Sequence, residues 1–121
     1  MAKILVVDDS QDLLELFLLI LVTFGHEVQT ATSGNTMNSV VSAFIPDLIL
    51  LDVMLGNEDG RELCRENKAA GDTPIILMSA NPVLLKDFNE FGANDILEKP
   101  FDVASLAKKI NTVLNLNILA G

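Results

Sequence analysis

The chain has 121 residues, half of them hydrophobic, and this length predicts that residues 1–121 form a single domain. The formal net charge is −9, and only eight Lys and Arg residues are present. This charge argues against direct binding of nucleic acid, because affinity for phosphates requires many cationic side chains.

The longest uninterrupted apolar run, 16–22, is too short to cross a bilayer, which takes roughly 20 residues. No charged segment followed by a small-residue cleavage site opens the chain, so no secretory signal is recognisable. The single cysteine, Cys64, excludes an internal disulfide. We therefore expect a soluble, cytoplasmic protein that makes no contact with a membrane.

Short apolar runs alternate five times with helical stretches, and no linker or repeat interrupts them. The predicted strands are Lys3–Asp8, Glu27–Ala31, Asp47–Asp52, Pro74–Ser79 and Ile96–Glu98. The predicted helices run from Asp9 or Ser10 to Phe24, over Gly34–Phe44, Glu58–Ala70 and Pro82–Phe91, and from Asp102 onward. Strict alternation is typical of the α/β class and predicts a doubly wound, five-stranded parallel sheet with five helices.

Polar side chains stand where four of the predicted strands end. Asp8 and Asp9 close the first strand, Asp52 closes the third, Ser79 closes the fourth, and Lys99 follows the fifth. Right-handed crossovers bring the carboxyl ends of parallel strands to one rim of the sheet, where ligands of such sheets bind. We expect these five side chains to converge there.

The chemistry of this set points to phosphoryl transfer assisted by a metal ion. Three clustered carboxylates repel one another unless a cation joins them. Carboxylate oxygens suit Mg²⁺, which also binds phosphate oxygens. Phosphoryl transfer needs an in-line nucleophile and neutralisation of negative charge, and an Asp carboxylate can be that nucleophile. The set therefore predicts a Mg²⁺ site beside a nucleophilic aspartate.

Several motifs carry a family resemblance that covers almost the whole chain. They are the opening KILVVDD, DLILLD ending at Asp52, the DG pair 59–60, MSA in the fourth strand, and EKPF. The chain resembles the receiver domains of two-component response regulators and looks like a stand-alone receiver of the chemotaxis type. The resemblance implies a flavodoxin-like strand order, 2-1-3-4-5.

The resemblance also implies a role for each residue of the rim. Asp52 would accept the phosphoryl group, Lys99 would pair with it, and Ser79 would bond a phosphoryl oxygen. Mg²⁺ would be held by Asp8, Asp9, Asp52 and the backbone carbonyl of Met54. In the family the bond before the proline of the KP pair, here Lys99–Pro100, is cis.

Partners also follow from the resemblance. The donor would be a histidine kinase or a histidine phosphotransfer protein, and the output would be a changed affinity for a downstream protein. The domain would act as a regulator that catalyses only its own phosphorylation and dephosphorylation.

Two positions depart from the family pattern. Ile96 stands where a Tyr or Phe usually swings inward after Ser/Thr moves to the phosphoryl group, so the form of the switch differs. Gly56 stands where the family usually has Pro, which should loosen the loop after Asp52.

The first helix is more apolar than one buried face requires, with ten apolar residues among the twelve from 13 to 24. Placing Leu13, Phe17, Ile20 and Phe24 inward leaves an outward stripe of Leu14, Leu18, Leu19 and Val22. We expect this stripe to be a docking surface for the partner, with homodimerisation as the competing explanation.

Three other functions fit parts of the sequence. A degenerate receiver acting only as an interaction module is disfavoured by the complete set on the rim. A small aspartyl-phosphate phosphatase would need a second Asp two residues after the nucleophile, where this chain has Met54. A flavodoxin-type nucleotide module would need a Gly/Ser/Thr-rich loop after the first strand, where this chain has two aspartates.

Overall fold

Five parallel strands form the central sheet of the computed structural model, which describes residues 1–120 and the side chains of residues 1–115. The sheet contains β1 (Lys3–Val7), β2 (Glu27–Ala31), β3 (Leu48–Asp52), β6 (Ile75–Ser79) and β7 (Asp95–Glu98), in the order β2-β1-β3-β6-β7. Two further short strands, β4 (Met54–Leu55) and β5 (Glu58–Asp59), form a separate antiparallel hairpin. The flavodoxin-like order predicted for the five main strands is confirmed.

The α-helices are α1 (Gln11–Thr23), α2 (Gly34–Phe44), α3 (Gly60–Ala70) and α4 (Val103–Ala120). One hydrophobic cluster, which includes Ile4, Phe17 and Leu106, joins one face of the sheet to α1 and α4. A second cluster, which includes Leu5, Met37 and Cys64, joins the other face to α2 and α3. Because helices cover both faces, the central strands are apolar along almost their whole length.

Side-chain caps fix where the helices begin. Ser10 Oγ accepts a hydrogen bond from the Leu13 N–H, so Ser10, not Asp9, caps α1. Asp102 Oδ1 accepts from the Ser105 N–H at 2.7 Å, in agreement with the predicted start of the last helix. Capping by Ser10 leaves the Asp9 side chain available for the rim.

The orientation predicted for α1 is confirmed in part: Phe17 is buried and Leu13 and Ile20 pack half-buried against the same cluster, but Leu14 and Phe24 were placed on the wrong sides. Leu14, Phe17 and Leu21 are its buried residues, whereas Phe24, predicted to point inward, is 39% exposed. Leu14 therefore belongs to the core and not to the outward stripe. The exposed apolar side chains of α1 are Leu16, Leu18, Leu19 and Val22. A helix that is apolar almost all round gives no contrast from which its inward face can be read.

The predicted α-helix over 82–91 is replaced by two 3₁₀-helices, Pro82–Leu85 and Phe88–Phe91, so four α-helices lie in the described part of the chain instead of the predicted five. Leu85 is buried and Phe88 packs against the same cluster, three residues further on. Residues 86 and 87 form a turn between the two 3₁₀-helices, so each short helix directs its own apolar residue to the core.

No helix of the described residues is long and apolar enough to cross a membrane.

Candidate functional site

All the side chains predicted for the rim come from the carboxyl ends of neighbouring strands. Asp8 directly follows β1, Asp52 ends β3, Ser79 ends β6, and Lys99 directly follows β7. Asp8, Asp52 and Ser79 are almost fully buried, at 1%, 6% and 2% exposure. Buried polar side chains are costly unless they are paired, so their presence together marks this rim as a functional site.

Lys99 is the cation at the centre of the site. Its Nζ lies 2.7 Å from Asp8 Oδ2 and 3.4 Å from Asp52 Oδ2. The other Asp8 oxygen accepts a hydrogen bond from the Ser10 N–H at 2.9 Å. The Lys99–Pro100 peptide bond is cis, as expected. One ammonium thus bridges two buried carboxylates.

Burial raises the pKa of Asp52 to about 6, from an ordinary value of 3.8. The nearby charge of Asp8 raises this pKa further, whereas Lys99 opposes the shift through its charge and its hydrogen bond. The protein environment therefore disfavours the charged form of Asp52 even with a lysine in contact. At neutral pH a carboxyl with this pKa is still largely ionised and can act as a nucleophile.

The three carboxylates satisfy the requirements of a divalent cation. Oxygen atoms of Asp8, Asp9 and Asp52 lie within 4.8 Å of one another, with Asp9 exposed at the mouth of the cluster. Lys99 offsets only one of these three negative charges. An all-oxygen donor set with an uncompensated charge of about −2 suits Mg²⁺. Such an ion would supply the positive charge that neutralises developing negative charge on transferred oxygens.

A hairpin that the sequence analysis missed borders this cluster. It is formed by β4 and β5, with Gly56 and Asn57 in its turn. The Gly56 N–H donates to Asp9 Oδ2 at 3.1 Å, and Met54 at the start of the hairpin is 63% exposed. The loop that Gly56 was expected to loosen thus contains a two-residue turn whose backbone contacts a predicted metal ligand.

Gly60 is a second residue whose role the sequence analysis did not derive. A Cβ atom added at this position would overlap the backbone carbonyl oxygen of Asp52. The Gly60 N–H donates to the Val53 carbonyl oxygen at 2.7 Å. Glycine therefore lets α3 begin directly against the backbone of the strand end that carries Asp52.

Ser79 and Ile96 occupy neighbouring strands, β6 and β7. Ser79 Oγ accepts a hydrogen bond from the Asn81 N–H at 3.0 Å. Ile96 is half-buried and packs against the cluster on the α2 and α3 side of the sheet. Ile96 therefore contributes to hydrophobic packing on this face of the sheet and is not one of the polar side chains of the rim.

The strand order and the acidic cluster at the rim place this molecule in the receiver class of α/β domains. The family model described as the response regulator receiver domain matches residues 4–111, and the chain belongs to this family. Receiver domains of two-component response regulators take part in signalling with histidine kinases and downstream effectors, and the family binds Mg²⁺ at an acidic pocket.

Solved structures agree with this assignment. NtrX from Brucella abortus superposes with a TM-score of 0.92 at 31% identity, covering 98% of this chain and 28% of NtrX. The BeF3-activated N-terminal receiver domain of RstA from Klebsiella pneumoniae has a TM-score of 0.87 at 29% identity, covering 93% of this chain and 97% of that domain. A putative response regulator from Chloroflexus aurantiacus has a TM-score of 0.86 at 29% identity, covering 94% and 98%. The chain thus spans little more than a quarter of NtrX but matches nearly the whole of the other two.

Proposed function

We propose that this receiver domain is a phosphoacceptor switch that takes a phosphoryl group onto Asp52 in the presence of Mg²⁺. The observation that carries the proposal is the contact of one ammonium, Lys99, with two buried carboxylates, Asp8 and Asp52, beside the exposed Asp9. A purely structural salt bridge would not require a third carboxylate, that of Asp9, within 4.8 Å of the other two.

The roles of the side chains follow from their chemistry. An Asp52 carboxylate oxygen attacks phosphorus in line, forming a P–O bond while the bond to the donor's leaving group breaks and its electron pair departs with that group. Lys99 lies close enough to Asp52 to transfer its contact to a phosphoryl oxygen. The Ser79 hydroxyl can donate to another phosphoryl oxygen from the neighbouring strand. Asp8, Asp9, Asp52 and the Met54 carbonyl would hold Mg²⁺.

A phosphorylation assay tests the proposal directly. Incubation of the chain with acetyl phosphate and MgCl₂ should add the mass of one phosphoryl group, measured on the intact protein by mass spectrometry. Asp52→Asn should abolish the added mass, because an amide is a poor nucleophile. The matched control Asp47→Asn changes a carboxyl at the opposite end of the same strand segment and should be labelled like the wild type. Labelling of Asp52→Asn at the wild-type level would refute the assignment.

We further propose that the exposed side of α1 docks the helix that carries the donor histidine. Leu16, Leu18, Leu19 and Val22 are between 40% and 68% exposed. Leu16 also lines an open apolar groove with Pro100 and Phe101 that reaches Lys99. The apolar surface is thus continuous with the phosphoacceptor site, which favours a partner that must approach that site. Two copies of a chain with a net charge of −9 repel each other, so a homodimer is less favoured.

Introducing charged side chains on the exposed side of α1 tests this surface. Burying one such side chain fully is worth roughly 1.5–3 kcal/mol, so Leu19→Lys combined with Val22→Glu should slow transfer from the cognate histidine donor more than tenfold. Labelling by acetyl phosphate should be unchanged, since neither residue belongs to the rim. Ile45→Lys is the matched control, because Ile45 is 72% exposed but lies before β3, away from the rim.

The double variant also separates the two partners considered for this surface. Unchanged histidine transfer would refute the docking proposal. A loss of mass in light scattering, without any loss of transfer, would assign the surface to a homodimer instead.

A further inference from the structure

We infer that Gly56 is a positioning residue for the metal site, because its backbone N–H orients the Asp9 carboxylate toward Asp52. This inference rests on the proposed function, in which Asp9 is a metal ligand. The two residues are 47 positions apart in the chain, and the Gly56 nitrogen lies 3.1 Å from Asp9 Oδ2. The contact joins the end of the first strand to the turn of the β4–β5 hairpin.

Asp9 is the carboxylate of the cluster that most needs such support. Asp8 and Asp52 are buried and are held by the Ser10 N–H and by Lys99. Asp9 is exposed, and within the described residues the Gly56 N–H is the hydrogen-bond donor found on its carboxylate. A carboxylate has about four lone-pair positions, so one N–H leaves the others available to a metal ion. The bond therefore restricts rotation of Asp9 without occupying its ligand positions.

Glycine supplies this N–H at a backbone conformation that L residues rarely adopt. Gly56 has φ +60° and is the first residue of a two-residue turn between Leu55 and Glu58, whose second residue, Asn57, does not have a positive φ. This is the pattern of a type II′ turn, which prefers glycine at its first position. L-proline at this position would lack the N–H and would exclude the positive φ.

The far strand of the hairpin is also anchored, so the turn has a fixed base. Glu58 Oε1 accepts a hydrogen bond from the Gly34 N–H at the start of α2, at 2.8 Å. A Cβ atom at Gly34 would meet the Glu58 carboxylate, which would then have to shift. The hairpin thus connects α2 at one end and Asp9 at the other, and the Gly56 N–H is held in place rather than carried by a free loop.

The test removes this N–H and leaves the turn unchanged. Chemical synthesis with ligation at the Leu63–Cys64 junction gives the full chain with a D-residue at position 56. D-proline and D-alanine both favour a positive φ, but only D-alanine keeps the N–H. Gly56→D-Pro should weaken Mg²⁺ binding roughly tenfold, the lower end of the range for loss of a group that orients a metal ligand. Gly56→D-Ala should bind within about twofold of the all-L chain if the N–H is what matters.

Calorimetric titration with MgCl₂ is the primary measurement, because the chain contains no Trp or Tyr whose fluorescence could report binding. Thermal unfolding in EDTA, followed by circular dichroism, is the second and should give similar midpoints for all three proteins. A loss of Mg²⁺ affinity at equal metal-free stability distinguishes a positioning role from a structural one. If the D-proline protein is unfolded in EDTA, glycolic acid takes the place of glycine at position 56. The resulting backbone ester lacks the same N–H and has no ring, and its Mg²⁺ affinity is then compared with that of the all-L chain.

Equal Mg²⁺ affinity of the all-L chain and the folded variant without the N–H would overturn the inference while leaving the proposed function intact. The same loss in Gly56→D-Ala would also overturn it, since the N–H is then not the cause. Failure of the all-L chain both to bind Mg²⁺ and to be labelled at Asp52 would refute the proposed function and this inference together.

Discussion

Replacing Asp9 with Ala should weaken Mg²⁺ binding by at least about tenfold, because loss of groups that merely orient a metal ligand already costs that much. Asp9 is the exposed member of the carboxylate cluster, so its side chain contributes little to the packing of the core. The fold should therefore survive the change. Labelling at Asp52 should slow in proportion at subsaturating Mg²⁺, because fewer molecules carry the ion.

Asp12→Ala is the matched control, since Asp12 is an exposed aspartate in the first turn of α1, only three residues away. Both variants remove one negative charge from the same region, so general electrostatic attraction of the cation falls equally. Titration calorimetry on the three proteins separates ligation from this general effect. If both variants lower the affinity equally, Asp9 is not a ligand and the metal site must be assigned elsewhere.

The sheet and most of the site could be predicted from the sequence because each depends on a strong local signal. Continuous apolar runs such as 48–51 identify strands that are covered on both faces. Once the strands are parallel, topology alone brings Asp8, Asp52 and Lys99 to one rim, whatever the details of the loops. The distances of 2.7 Å and 3.4 Å from Lys99 to the two aspartates agree with that expectation.

The orientation of α1 could not be predicted in the same way, because its apolar residues occupy almost the whole circumference. Because the helix has no polar side, the sequence offers two nearly equivalent sets of inward-facing residues. One set is positions 13, 17, 20 and 24, and the other is positions 14, 17 and 21. Packing against the sheet fully buries the second set, including Leu14, while Leu13 and Ile20 of the first set pack half-buried against the same cluster. The surplus of apolar residues was nevertheless a correct indication that part of the helix surface is exposed and apolar.

The β4–β5 hairpin had a sequence signal that was not used. Gly56-Asn57 stands between Leu55 and Glu58, and a glycine followed by Asn is a known signal for a two-residue hairpin turn. The strands on either side have only two residues each, too short for a period-two pattern to be recognised. Gly56 was therefore interpreted only through its flexibility, and the turn it supplies and its N–H directed at Asp9 were not predicted.

The 3₁₀-helices over 82–91 depended on tertiary contacts more than on local preference. Pro82 and the Asn81 cap both favour the start of a helix, and they do begin one. The second 3₁₀-helix lacks a side-chain cap and ends at Gly92, whose φ is +86°. In addition, Arg61 and Arg65 of α3 lie over the ring of Phe91. These contacts to α3 involve residues far apart in the chain, which local patterns do not reveal.

Replacing Asp52 with Asn should stabilise the metal-free protein at pH 8 by about 1–3 kcal/mol, since each unit of pKa shift is worth about 1.4 kcal/mol. The pKa of Asp52 is about 6 in the folded chain and 3.8 ordinarily. Between these values the folded state binds more protons than the unfolded state, so stability falls as the pH rises from about 4 to above 6. Asparagine stays neutral and does not lose this stability, although it gives up the charge contact with Lys99.

Urea unfolding in EDTA, followed by circular dichroism at several pH values, measures the effect. The advantage of Asp52→Asn should be largest at pH 8, shrink as the pH falls from above 6 toward 4, and vanish only below about 3, where the wild-type carboxyl is protonated in both states. Asp12→Asn should follow the wild type, because that side chain is exposed. Saturating MgCl₂ should reduce or reverse the advantage, since the ion stabilises the folded wild type by binding to it. A variant no more stable than the wild type at pH 8 in EDTA would mean that Lys99 fully compensates the buried charge of Asp52. The charge of Asp52 would then be no reason for a metal ion to bind at this rim.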